Sequence, residues 1–237
     1  GRLEPAVLAA VVEGLARGCR EAGCALLGGE TAEMPGFYGD DEYDVAGFVV
    51  GIVDRERIID GSRVTPGDVL LGLPSAGLHT NGYSLARHVF FSSAGWDVEH
   101  DIDGLRPTLG EELLTPTRIY VEPILSILKD LPIHGLAHIT GGGISGNILR
   151  IVPKACNILI QREIWDVPPI FSFLQQAGNI SKLEMRRTFN NGIGMIAIVP
   201  ADAAQDVLQR LEAMNEKAYL IGEILACRDS GNQIIWE

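Results

Sequence analysis

Basic runs are missing from this sequence: Lys and Arg number 19 against 31 Asp and Glu, for a net charge of −12. That excludes a nucleic-acid polymer as an expected partner, because affinity for its phosphates rests on clustered Lys and Arg. Long apolar stretches are missing too. None approaches the roughly 18 residues that cross a bilayer, and Gly1-Arg2-Leu3-Glu4-Pro5 lacks the apolar centre of a signal peptide, so a cytoplasmic location is expected. Cysteine is scarce. Cys19, Cys24, Cys156 and Cys227 make no C-x-x-C pair and are too sparse for a disulfide scaffold, so reduced and mostly buried thiols are expected. Internal repeats and low-complexity tracts are absent as well.

What is present is a globular composition. The 237 residues, 46% of them hydrophobic, suit one large or two modest domains. Pro5 to Arg20 carries Leu8, Val11, Val12, Leu15 and Cys19 at helical spacing, with Pro in the first turn and Gly23 as a stop. Cys24 to Leu27 and Asp44 to Val53 read as strands. Charges, then Gly61 and Pro66, place a domain boundary near residue 62, giving segments 1–62 and 63–237.

In the second segment, strands are expected at Val69–Leu73, Leu136–Ile139, Asn157–Ile160, Gly194–Val199 and Ala218–Ile224. Helices are expected at Tyr83–Ser93, Pro116–Leu131, Asn147–Val152, Pro169–Ala177 and Ala201–Met214, with Pro123 bending the second of these. The expected class is α+β: an incomplete N-terminal α/β half-domain, then a mixed sheet covered by helices, on one face as the pattern reads.

Three connections carry the chemistry. "HITGGGISGN", residues 138–147, packs four glycines into six positions, the composition of a backbone that turns tightly or lets another group approach. Gly141, Gly143 and Gly146 match G-x-G-x-x-G, but only about six residues separate the loop from Pro153, too few for the crossover helix of a dinucleotide fold. The simpler reading is a backbone concavity for a phosphate oxygen, with Asn147 as a cap, set against a ligand-free tight turn. "SAGLHTNGYS", residues 75–84, repeats the arrangement. His79 and His138 each sit beside a glycine turn, where an imidazole can bond phosphate or exchange protons near neutral pH. "GGETAEMP" adds Glu30 and Glu33, hard oxygen ligands of the kind Mg²⁺ takes alongside nucleotide phosphates. Asp40, Asp41, Glu42 and Asp44 read as a solvated acidic face. "TFNNGIGM", residues 188–195, reads as a turn.

Taken in order, "GGETAEMPGFY", "SAGLHTNGYSLAR", "HITGGGISGN" and "TFNNGIGM" resemble the phosphoribosylformylglycinamidine cyclo-ligases, or aminoimidazole ribonucleotide synthetases. The resemblance spans essentially the whole chain. It implies an upstream segment of about a hundred residues that is not among these 237, of domain size, with an Asp-Gly-Val-Gly-Thr-Lys-like loop and much of an ATP and Mg²⁺ site. It also implies a homodimer, and a small ribonucleotide as substrate.

The implied reaction is ATP-dependent ring closure: the formyl oxygen is phosphorylated, the amidine nitrogen attacks the activated carbon, and phosphate leaves. Positioning and charge neutralisation dominate such transfer, in keeping with a chain that has no Ser-His-Asp or Cys-His signature. By resemblance, His138 and His79 orient substrate or stabilise developing charge. Gly141, Gly142, Gly143, Thr140, Thr80 and Asn81 hold substrate or its phosphate, and Glu30 and Thr31 serve the nucleotide, with Glu30 on Mg²⁺. Two alternatives stay open: a catalytically inactive substrate-binding module, and a sister ATP-dependent phosphotransferase.

Overall fold

A computed structural model describes residues 1–39, 42–102, 108–227 and 232–237. The chain forms two compact units, Gly1–Ile58 with Ile119–Glu122, and Ile59–Arg118 with Pro123–Glu237. Of the expected acidic face, Asp40 and Asp41 lie outside the described residues, while Glu42 and Asp44 are exposed.

The first unit holds helix α1 (Pro5–Glu21), which opens with Pro at its first turn and buries none of its residues. The two strands expected here do not form. Residues 24–27 and 44–53 pair in no ladder, and the described part of this unit has a single isolated bridge, Pro35 to Tyr38. A strand needs a neighbour for its N–H and C=O groups, and an apolar run cannot supply one by itself. Phe48 is 96% exposed in consequence.

The second unit contains the sheet. In chain order its elements are β1 (Val69–Pro74), α2 (Tyr83–Arg87, running on as a π-type turn to Ser93), α3 (Leu109–Leu113), α4 (Val121–Ile127, whose first two residues group with the first unit), β2 (Gly135–His138), α5 (Gly143–Ile148), β3 (Cys156–Ile160), α6 (Pro169–Ala177), α7 (Lys182–Thr188), β4 (Ile193–Val199), α8 (Ala204–Ala213), β5 (Tyr219–Ala226) and β6 (Ile234–Trp236). The six strands lie in the order β2-β4-β1-β5-β3-β6. All neighbours are antiparallel except β3 and β6. The class is thus α+β with a mixed sheet.

β4 is held on both edges: Ala197 is registered with Leu71 of β1 and Leu136 of β2. It is also covered on both faces. Ile196 and Ile198 pack with Ile144 and Ile148 of α5, while Ala197 and Val199, which the pleat turns the other way, are fully buried too. Both faces of these central strands are therefore shielded from water. A second cluster gathers Phe90, Phe171, Leu174, Met185 and Phe189 between α2, α6 and α7.

Several boundaries differ for local reasons. The helix expected at Pro116–Leu131 is confined to α4, where Pro123 occupies the first turn and needs no N–H partner, so it starts a helix rather than bending one. α5 begins four residues ahead of Asn147. α3, α7 and β6 have no counterpart in the sequence reading. All four cysteines are free thiols, but only Cys156 is buried, because α1 and the segments beside it bury nothing around Cys19 and Cys24.

Candidate functional site

β4 sits between β1 and β2 and runs opposite to both, so the ends of β1 and β2 meet the start of β4. Pro74 is registered with Ile193, and His138 with Met195. The three loops, residues 75–82, 139–142 and 189–192, consequently emerge at one end of one sheet. Sequence separations above a hundred residues are closed by strand pairing.

Buried amides tie these loops together. Asn190, 2% exposed, accepts from the Ser75 hydroxyl at 2.8 Å and from the Gly192 N–H at 2.9 Å, and its Nδ2 donates to the Gly77 carbonyl at 2.8 Å. The Ser75 N–H donates to the Gly192 carbonyl at 2.8 Å. Asn147 does the same within the glycine loop: its Oδ1 accepts from Thr140 Oγ1 at 2.9 Å, and its Nδ2 donates to the Gly143 carbonyl at 2.8 Å. Between loops, the Gly141 N–H donates to Asn81 Oδ1 at 2.8 Å. Satisfied buried networks of this kind fix one loop geometry, since any break strands a polar group away from water.

The glycines have separate reasons. Gly143 has φ 61°, and a Cβ there would stand 1.9 Å from the Arg186 carbonyl oxygen, so α7 packs against bare backbone. Gly82, φ 76°, faces the Phe189 ring in the same way. Gly141 and Gly143 commit their N–H groups to Asn81 and to the Thr140 carbonyl. Gly142 is the member of the run whose amide makes no such bond among the described residues.

The two histidines differ. His79 is 3% exposed, holds φ 57°, and its Nε2 accepts from the Ala76 N–H at 3.0 Å and from the Arg118 N–H at 3.4 Å. An acceptor nitrogen is an unprotonated one, and burial first, then the nearby His138 and Arg118, push its pKa down from 6.5 to about 4. His79 is a neutral brace at pH 7. His138, at the end of β2, is exposed, and desolvation holds it below the ordinary histidine value. Thr80 is exposed and Asn81 half-buried.

Loop 75–82, loop 139–142 and His138 thus bring together His79, Thr80, Asn81, His138, Thr140, Gly141, Gly142 and Gly143. Glu30 and Thr31 belong to the first unit, where both are exposed. Glu30 supplies one carboxylate, and no cluster of three or more His, Cys, Asp or Glu gathers among the described residues, so the donor set for Mg²⁺ is partial. Asn190 and Ser75 escape sequence reasoning as site-building residues. "Asn-Asn-Gly" signals a turn, and nothing local says that its first amide reaches back more than a hundred positions.

Among the described residues, no helix is long and apolar enough to cross a membrane. The family description "AIR synthase related protein, C-terminal domain" matches residues 65–234, and its N-terminal counterpart matches residues 1–53. The phosphoribosylformylglycinamidine cyclo-ligase of Citrifermentans bemidjiense is 53% identical over 234 residues, covering 99% of this chain and 67% of the relative. That of Geotalea uraniireducens is 54% identical, with the same coverage. The chain therefore spans about two thirds of the length of these relatives. A solved thiamine-monophosphate kinase from Stenotrophomonas maltophilia K279a shares the fold, with TM-score 0.53 at 14% identity over 78% of this chain and 54% of that one. A paired sheet that gathers its glycine loops at one end and a sequence more than half identical to these enzymes lead to one assignment: the chain belongs to the AIR synthase related family, among the phosphoribosylformylglycinamidine cyclo-ligases.

Proposed function

We propose that the chain acts in ATP-dependent closure of formylglycinamidine ribonucleotide to aminoimidazole ribonucleotide, and that its second unit holds the ribonucleotide. The observation that carries this is the convergence of the three loops at one sheet end, braced by Asn190 and Asn147. ATP supplies the phosphoryl group that turns the formyl oxygen into a leaving group.

The rest of the work falls to residues of this chain. Among the described residues, the Gly142 amide, the Thr80 hydroxyl and Asn81 Nδ2 donate no bond within this network, and they offer hydrogen bonds to phosphate or amide oxygens of the substrate. His138, neutral at pH 7, orients the reacting end. His79, Thr140, Gly141 and Gly143 position the loops through contacts already made. Glu30 and Thr31 serve the nucleotide and its Mg²⁺ from the first unit, alongside ligands supplied elsewhere. A cytoplasmic homodimer completes the reading; the exposed apolar run around Phe48 and Ile52 supports pairing through the first unit.

Calorimetric titration of the chain with formylglycinamidine ribonucleotide, repeated with ATP and Mg²⁺, tests the proposal. Saturable binding is expected, weakened by His138→Ala or Asn81→Ala. Equal affinity in those variants would remove both residues from the site, and no binding by the chain or by an upstream-extended form would remove the substrate.

A further inference from the structure

The second unit has a cavity of about 360 Å³, within the size range of small-ligand sites, that is lined by none of the residues assigned above to the ribonucleotide. Its walls come from the segment after β3, from α6 and α7 and from β6, with Ile144 of α5 and Asn191 of the 189–192 loop completing them. In a chain of net charge −12, three cations meet here, Arg162, Lys182 and Arg186, against the single lining carboxylate of Glu163. Clustered like charge in a concave site concentrates ions of opposite sign.

Three aromatic rings also line it: Trp165, Trp236 and Phe171. These groups are held. The Arg162 Nη2 donates to the Trp236 carbonyl at 3.2 Å, and the Arg186 guanidinium stands 4.9 Å from the centre of the Trp236 ring. Trp165 Nε1 donates to the Asn191 carbonyl at 2.8 Å, and Asn191 Nδ2 donates to the Met185 and Phe189 carbonyls at 2.9 Å. Guanidinium groups match phosphate in geometry and charge, and indole faces accept flat rings. Structural pairing alone would not require three cations around open volume beside three aromatic rings.

We infer that this cavity binds a phosphorylated ligand with a flat ring, of the nucleoside monophosphate class, through Arg162, Lys182 and Arg186 at the phosphate and the tryptophans at the ring. The cavity shares the 189–192 loop with the cluster of the proposed reaction but none of the residues assigned there, and the inference does not depend on that reading.

The test is tryptophan fluorescence of a Trp96→Phe chain, which leaves Trp165 and Trp236 as reporters, titrated with AMP, with adenosine and with inorganic phosphate. Saturable quenching by AMP is expected, with adenosine and phosphate each at least tenfold weaker. Arg162→Gln and Arg186→Gln should each weaken AMP about tenfold, the scale of one lost charge-assisted bond, with circular dichroism unchanged. No saturable response to AMP overturns the proposal. So does unchanged AMP affinity in both variants, which would mean binding elsewhere, or phosphate binding as tightly as AMP, which would mean an anion site without a ring. Titration with formylglycinamidine ribonucleotide reads the loop cluster separately, so the two proposals fail independently.

Discussion

Two apolar, β-rich runs of this chain meet opposite fates. Ile193 to Val199 is a central strand whose side chains are nearly all buried, while Asp44 to Val53 forms no ladder and leaves Ile52 fully exposed. Their compositions differ little. The difference is that β4 has β1 on one edge and β2 on the other. A strand is a property of its neighbours as much as of its own residues, and a site built where strands end inherits that dependence.

Core truncation should break the comparison most strongly. Ile198→Ala is expected to cost about 2–5 kcal/mol in urea unfolding of the second unit, as for fully buried Ile. Next comes Gly143→Ala, where the new Cβ meets the Arg186 carbonyl at 1.9 Å in a left-handed backbone; about 3 kcal/mol is expected, with weaker ribonucleotide binding, and a wild-type midpoint would show that α7 yields freely.

His79 adds a pH signature of similar size. Its folded pKa of about 4 lies below the unfolded 6.5, so the unfolded chain binds more protons between these values. Stability from this group is present above pH 6.5, falls as the pH drops towards 4, and amounts to roughly 3 kcal/mol at most. His79→Gln should flatten that stretch of the profile.

Asn190→Ala, which strands the Ser75 hydroxyl and the Gly77 carbonyl, should cost about 1–3 kcal/mol. Ile52→Ala sharpens the contrast from the other side: a midpoint within about 0.5 kcal/mol of the parent is expected, the usual size for an exposed position. A loss comparable to that of Ile198→Ala would show that the two runs are equally embedded.

Much of the second unit was legible because its signals are local. α6 runs from Pro169 to Ala177 as its spacing dictates, and the five strands expected there differ from the observed ones by one or two residues at their ends. α3 and α7 were readable too. Thr108 and Ser181 each accept from the N–H of a Glu three positions on, the Thr-x-x-Glu and Ser-x-x-Glu signature of a helix start. What the sequence could not disclose was long-range. Asn147 reads as a cap and holds the glycine loop shut; His79 reads as an acid or base, and its two backbone donors make it a neutral brace. Gly143 reads as a phosphate contact, and nothing local says that α7 also touches its bare backbone.

The central claim is that the loop donors at the sheet end hold the ribonucleotide. The most direct test is a ¹⁵N NMR titration of the chain with formylglycinamidine ribonucleotide. Saturable shifts at the amides of Thr80, Asn81, His138 and Gly142, with Phe48 and Ile52 unmoved, are the predicted result. Saturable shifts that leave those four amides in place would contradict it.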